Sequence, residues 1–482
     1  MQVRKVDLAV IGGGTAGLAA WRAANAKGLN AVIIEGGPFG TTCARVGCMP
    51  SKLLIAAAEA AHAQQHAALF GVHTQGYQVD GQQVMHRVRT ERDRFVGFVL
   101  RGVDNLPEQA KVLGYARFLN DRQLQVGDEL IIEADRFVIA TGSSPAIPRP
   151  LLAAKERLII NDDLFDWHDL PSSVAVFGAG VIGLELGQAL HRLGVRVKLF
   201  SLGGLIGPIS DPVILAEARK IFAEEMYIDV EAQTEILSSD DQGVLIRYFD
   251  RQTQSWQQEH FDYVLAATGR KANVDGLALA NTSLALDARG VPLFDPQSMQ
   301  CGESAIFLAG DVNNDKPLLH EAADEGRIAG ENAANWPEVS PGLRRTPMSV
   351  VFSQPQIAMA GLSYAQALTL VESQADQPLV IGEVDFGDQG RSRVMGVNKG
   401  RLRLYACPSS QRLLGAEMIG PAAEHLAHLL AWSIQAEQTV PKLLQMPFYH
   451  PVIEEGLRTA LRDLAANLEA VQPAQAANAL PA

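Results

Sequence analysis

Twice in this 482-residue chain a short apolar run breaks into Gly-x-Gly-x-x-Gly and resumes as a helix-like stretch. Residues 6–11 lead into Gly12-Gly13-Gly14-Thr15-Ala16-Gly17 and a helical pattern over 18–27. Residues 174–177 lead into Gly178-Ala179-Gly180-Val181-Ile182-Gly183 and a helical pattern over 184–193. Strand, glycine turn and helix in this order make a dinucleotide-binding unit. The first glycine permits the tight turn, the second lets backbone approach a pyrophosphate, and the third lets helix pack on strand. Gly12, Gly14 and Gly17 fill those places in one copy; Gly178, Gly180 and Gly183 fill them in the other. Two such units predict two dinucleotides, and the economical assignment is FAD in one domain and a nicotinamide in the other.

The strand that follows each helix should carry the ribose contact. Residues 31–34 end in Glu35, whose carboxylate suits an adenosine ribose. Residues 196–200 end in Ser201, where an NAD site usually has Asp or Glu, and 202–211 contain no arginine for an NADP phosphate. Ser201 can bond a ribose hydroxyl, so NAD is favoured and NADP is left open.

The second signal is chemical. Residues 40–52 read Gly-Thr-Thr-Cys-Ala-Arg-Val-Gly-Cys-Met-Pro-Ser-Lys, with Cys43 and Cys48 separated by four residues and Gly47 allowing a bend between them. A helical pattern over 52–66 follows. A helix N-terminus and the cations Arg45 and Lys52 would favour thiolates, so the expectation is a redox-active disulfide. A zinc site would need further close ligands, and Cys301 and Cys407 stand alone, so no metal is expected. A structural disulfide closing so short a loop would constrain the unfolded chain little. Glu185, flanked by Leu184 and Leu186 and by Gly183 and Gly187, sits on a close-packed helix start, and Lys52 is its expected partner.

Composition sets outer limits. There are 41 Lys and Arg against 54 Asp and Glu, a net charge of −13, which opposes nucleic-acid binding and a membrane-surface role. The length calls for about three domains. No apolar run reaches spanning length, no basic leader precedes residue 6, and four cysteines fit a reducing compartment, so a cytoplasmic protein is expected.

The remaining segments fit this frame. Residues 137–142 form an apolar strand ending in Thr141-Gly142, and 262–269 repeat the pattern, ending in Gly269. A proline-rich stretch, 145–150, reads as a linker. Residues 305–311 end in Gly310-Asp311, with Asp311 placed to bond a ribitol hydroxyl. From 346 the pattern becomes α+β. Past Asn467 the chain is rich in Ala, Gln and Pro and predicts a disordered tail.

Taken together, these motifs resemble the pyridine nucleotide-disulfide oxidoreductases, most of all their dihydrolipoamide dehydrogenase branch. The resemblance covers about residues 3–465: C-x4-C-x-P-S-K, two fingerprints, G-x-E-x-G, A-T-G and A-G-D. It implies an α/β fold with two Rossmann-like domains, for FAD (1–150 and 272–345) and NAD (151–271). A C-terminal α+β dimerisation domain (346–466) and a tail (467–482) would follow. It also implies that Asp311 contacts the flavin and that Lys52 and Glu185 pair beside its ring. The H-P-x-x-x-E motif matches His450 and Glu455, implying an acid-base pair that reaches the other subunit of a homodimer. Cys43 would exchange with substrate, and Cys48 would face the flavin.

The implied reaction is oxidation of a dihydrolipoyl group with NAD, with lipoyl domains of 2-oxo acid dehydrogenase complexes as partners. Five positions depart from the branch: Gly40-Thr41-Thr42 for Gly-Gly-Thr, Arg45 for Asn, Phe448 for His, Val452 for Thr, and Ser201 for the acid. They allow a different disulfide substrate. Glutathione reductase is the nearest rival, disfavoured by Ser51 before Lys52 and by the missing arginine cluster. A non-catalytic nucleotide-sensing flavoprotein would not need Cys43, Cys48, His450 and Glu455 together. A tail without cysteine argues against mercuric reductases and the larger thioredoxin reductases.

Overall fold

The first apolar run becomes the inner part of a strand, β1 (Gln2–Ile11), whose Leu8, Ala9 and Val10 are fully buried. Burial on both faces is what a central parallel strand requires, and it explains a continuous rather than alternating apolar pattern. The computed structural model describes residues 1–73, 76–373 and 378–478. In it β1 pairs in parallel with β2 (Ala31–Glu35) on one side and with the strand Leu130–Ile139 on the other. Lys111–Leu113 extends the sheet beyond β2. An antiparallel hairpin, Ala116–Asn120 and Gln123–Val126, and the returning strand Ile306–Leu308 share the far edge of Leu130–Ile139. The chain therefore leaves this sheet, builds a second one, and comes back.

The second sheet is parallel throughout, in the order Tyr227–Asp229, Arg196–Phe200, Ser173–Phe177, Tyr263–Ala266, Leu158–Ile159. A three-stranded antiparallel sheet, Thr234–Asp240, Gly243–Asp250 and Ser255–Phe261, is attached to it. The C-terminal sheet is antiparallel, with Met348–Val351, Gln356–Gly361, Leu413–Gly420, Arg401–Ala406 and Val380–Asp385 as neighbours. The helices Ala423–Gln435 and Glu455–Asn478 supply buried leucines to its core.

The glycine turns repeat one geometry. A Cβ on Gly12 would lie 2.2 Å from the Ala140 carbonyl oxygen, and one on Gly17 would lie 1.8 Å from that of Gly12. At Gly178 and Gly183 the same distances recur, 2.2 Å to Ala267 O and 1.8 Å to Gly178 O. No side chain fits at these points, so glycine is obligatory there for packing alone.

Some local expectations change. The helix expected from Lys52 begins four residues earlier: α3 is Cys48–His66, after the single-turn helix α2 (Thr42–Val46). Pro50 lies in its first turn, where the missing N–H has no intrahelical partner to lose. The proline-rich linker carries short regular structure. Ser143–Pro145 pairs antiparallel with Arg270–Ala272, and a 3₁₀ segment, Arg149–Arg157, follows. The last helix also continues past Asn467, into the predicted disordered tail. Leu457, Leu461, Leu464 and Leu468 keep one buried stripe and Val471 packs against it. Residues 479–482 of that tail lie outside the described residues. Among the described residues no helix is long and apolar enough to cross a membrane.

Candidate active site

The helices that follow the glycine turns, α1 (Thr15–Ala26) and Val181–Arg192, both start on glycine, Gly14 and Gly180, with no side-chain cap. Their first N–H groups are left for an anion, and a Cβ at either glycine would meet nothing within 4 Å. Both turns therefore fit a pyrophosphate. Glu35 closes the first one: its carboxylate accepts from Gly13 N at 2.7 Å and Gly37 N at 2.8 Å, leaving lone pairs for a ribose. Ser201 follows the strand Arg196–Phe200, with its backbone N–H bonded to Asp229 O at 2.7 Å. Arginine absent from 202–211 in sequence arrives from elsewhere. Arg219, on the helix Pro212–Glu225, donates through Nε and Nη2 to the Gly204 carbonyl, beside Glu231.

The two Thr-Gly strand ends meet. Thr141 Oγ1 donates to Asn273 O at 2.8 Å, Asn273 Nδ2 donates to Thr141 O at 3.0 Å, and Asn273 N donates to Gly142 O at 3.0 Å. Gly142 and Gly269 both have positive φ and open space where a Cβ would stand. Asp311 Oδ2 accepts from Ser143 Oγ at 3.1 Å, and Ser143 is held in turn by Arg270. Gly310 N donates to the fully buried Glu325 at 2.8 Å, and Arg344 neutralises Glu325 at 2.9 Å. Asn273, Arg270 and Ser143 carry no mark in the sequence because each acts on a partner more than a hundred residues away.

The cysteine segment is set by two local features. Thr41 caps α2 by accepting from Ala44 N at 3.3 Å. Gly47 then makes the break between α2 and α3, where a Cβ would lie 3.2 Å from Cys43 Cα. This close approach brings the sulfurs together. Both are free thiols. Their mutual interaction, aided by the charge of Lys52, lowers Cys48 to about 7 from the ordinary 9.0. The same interaction, with burial, pushes Cys43 up. Cys48 is therefore the sulfur that ionises first, and it sits at the first residue of α3, where the helix dipole adds to the effect.

One turn further along α3, Lys52 Nζ donates to Glu185 Oε2 at 2.7 Å, and the carboxylate is only 4% exposed. Glu185 Oε1 accepts from Phe352 N at 3.0 Å, and the ammonium lies 4.5 Å from the Phe352 ring centroid. Phe352 comes from the C-terminal unit, so three parts of the chain converge here. Arg45, expected among the thiols, instead turns back over Gly40.

His450 and Glu455 are joined at the far end of the chain. His450 Nδ1 lies 3.0 and 3.1 Å from the two carboxylate oxygens, which also accept from Arg458 Nη2 at 2.8 Å and Val452 N at 3.3 Å. These contacts, His450 first, hold the Glu455 carboxyl below the usual range. The His450 side chain is 81% exposed and bonds no cysteine of its own chain among the described residues. An exposed base fixed by a carboxylate is suited to a substrate brought from outside.

Comparison with known proteins gives the family. Residues 6–326 match the pyridine nucleotide-disulphide oxidoreductase family, and residues 347–461 match its dimerisation domain. The chain is 30% identical to a dihydrolipoyl dehydrogenase of Chlamydia pneumoniae over 459 residues, 94% of this chain and 95% of that one. It is 29% identical to a dihydrolipoyl dehydrogenase of Bacillus subtilis over 465 residues, 95% and 98% of the two chains. A solved structure of the HOCl-induced flavoprotein disulfide reductase RclA from Escherichia coli, a Cu(II) complex, superposes with a TM-score of 0.79 at 22% identity. It covers 95% of this chain and 99% of that one, and shows the shared fold. This chain belongs to the pyridine nucleotide-disulphide oxidoreductase family, a flavoprotein enzyme with FAD and NAD(P) as cofactors and a C-terminal dimerisation domain.

Proposed function

We propose that this protein oxidises a dihydrolipoyl group with NAD, using Cys43 and Cys48 as its redox-active pair. The observation that carries the reading is the pair of free thiols held at the Gly47 break, with the Lys52–Glu185 pair one turn beyond and Cys48 as the more acidic member. Relatives named dihydrolipoyl dehydrogenase, aligned over nearly the whole chain, support the substrate.

In the oxidised enzyme Cys43 and Cys48 form a disulfide. His450, delivered by the second subunit of a dimer and oriented by Glu455, takes a proton from one substrate thiol. The substrate thiolate attacks Cys43 Sγ, a mixed disulfide forms, and Cys48 leaves as a thiolate. The second substrate thiol then attacks its neighbour sulfur. The cyclic disulfide departs, Cys43 is released and takes up a proton, and two electrons now reside on the pair. Lys52 and Glu185 fix a charge beside Cys48. Bound FAD would supply the two-electron chemistry that links this pair to the nicotinamide. Thr141, Gly142, Gly310 and Asp311, with the Gly12 turn and Glu35, would hold FAD. The Gly178 turn, Ser201 and Gly269 would hold NAD.

A second reading is reduction of another disulfide with NAD(P)H. Phe448 in place of the branch histidine and Arg219 beside the loop after Ser201 favour it. Steady-state assays separate the two. Dihydrolipoamide with NAD should turn over at least about tenfold faster than oxidised glutathione with NADPH; the reverse order would replace the first reading with the second.

A further inference from the structure

Phe352 grips both members of the Lys52–Glu185 pair. Its backbone N–H donates to Glu185 Oε1 at 3.0 Å, while Lys52 Nζ donates to Glu185 Oε2 at 2.7 Å, so each oxygen of the buried carboxylate has its own donor. An ammonium carries three N–H donors. One goes to Glu185, one to Ser51 Oγ at 3.3 Å, and the Phe352 ring stands with its centroid 4.5 Å from the nitrogen. At that spacing an aromatic face attracts a cation.

The loop that carries Phe352 is itself tied down. It follows the strand Met348–Val351 of the C-terminal sheet and meets one face of the helix Val181–Arg192, where Glu185, Gln188 and Arg192 recur at helical spacing. Gln354 N donates to Gln188 Oε1 at 2.8 Å, and Gln188 Nε2 returns a bond to Gln354 O at 2.9 Å. Arg192 Nη1 donates to Gln354 Oε1 at 2.6 Å, and its Nε donates to Glu225 at 2.6 Å. Glu185, Gln188 and Arg192 are all buried. The C-terminal unit thus fixes the ring, and the ring and Glu185 together fix the ammonium.

The ammonium matters because of what lies one turn back. Cys48 and Lys52 stand four residues apart on α3, on the same face of the helix. The charged and titratable groups acting on Cys48 are Cys43 from α2, Lys52 and Glu185; Lys52 favours its thiolate and Glu185 opposes it. The Lys52 side chain is 32% exposed, and a flexible lysine stem left to water would spread its charge over many rotamers. We propose that Phe352 is a positioning residue, whose ring holds the Lys52 ammonium in place beside Cys48. The C-terminal domain thereby acts on the dithiol of its own chain. The inference deepens the proposed reaction, in which Cys48 leaves as a thiolate, and is independent of which dithiol is oxidised.

The test follows ionisation of Cys48 in holoenzyme reduced to the dithiol state under nitrogen, as the pH dependence of alkylation located at Cys48 by peptide mass. Phe352→Leu removes the ring face and should raise the midpoint by about half a pH unit, which slows alkylation below the midpoint roughly threefold. Phe352→Tyr keeps an aromatic face and should match the parent. In a Lys52→Met background Phe352→Leu should shift nothing further, because the ring acts through the ammonium. An unmoved midpoint in Phe352→Leu overturns the proposal, as does the same shift in the Lys52→Met background. Should Phe352→Leu not fold, a trifluorinated phenylalanine at position 352 decides. A ring of nearly the same shape with its quadrupole cancelled should raise the midpoint, and a midpoint equal to the parent refutes the contact. Absent dihydrolipoamide turnover would sink the proposed substrate and leave these midpoints untouched.

Discussion

Replacing Cys43 by alanine in the reduced apoprotein removes the neighbour that does most to stabilise the Cys48 thiolate. With Cys48 at about 7, roughly half of it is ionised at pH 7, against about 1% for a thiol at its ordinary 9.0. The Cys43 interaction is the largest influence and the Lys52 charge the next that favours ionisation. Cys43→Ala should therefore move the midpoint at least about one unit back toward 9.0, and Lys52→Met should move it by less. Serine at 43 retains a donor and should shift least. Ultraviolet thiolate absorbance, checked by the pH dependence of alkylation, measures all three. The same shift has a linked effect on stability. Because Cys48 is lowered in the folded chain, the unfolded chain binds more protons between about pH 7 and 9, so stability should rise across that window and lose this contribution as pH falls below 7. A parent midpoint above about 8.5, or an unmoved midpoint in Cys43→Ala, would refute the reasoning.

Two further outcomes concern other parts of the molecule. His450→Gln should slow reduction of the enzyme by dihydrolipoamide by about 10²-fold or more while reduction by NADH changes little, measured by rapid mixing; equal losses would remove its role as substrate base. Glu417 is fully buried and accepts from Ser210 N, Ser210 Oγ, Asp211 N and Tyr364 N, tying the loop before the helix Pro212–Glu225 to the C-terminal sheet. Glu417→Gln turns one oxygen into a donor facing donors, so a loss of about 2–4 kcal/mol in chemical denaturation of the apoprotein is expected, and a change below about 0.5 kcal/mol would contradict it.

What could be read from the chain was whatever is encoded over short distances. The glycine turns, Glu35 and the cysteine segment each need only about twenty neighbouring residues, and backbone sterics at Gly12, Gly17 and Gly47 dictate the residue type. The Lys52–Glu185 pair was legible across 133 residues because an acid on a close-packed helix start needs a counterion. Phe352 and Asn273 were not, since a ring or an amide carries no mark of the carboxylate or carbonyl it will meet 167 or 132 residues away. Just past Asn467, Leu468 and Val471 continue the apolar stripe of the last helix, which the Ala-, Gln- and Pro-rich composition of the tail masks. Arg45 was visible as a departure from the branch, but which way it turns was not.

The central claim is electron exchange between a dithiol substrate and the Cys43–Cys48 pair, and counting thiols tests it directly. The chain holds four cysteines, two of them, Cys301 and Cys407, buried and apart from the site. In denaturant, air-oxidised holoenzyme should release two titratable thiols, enzyme treated anaerobically with dihydrolipoamide four, and that enzyme after excess NAD two again. A count that stays at four, or stays at two after dihydrolipoamide, would contradict the account.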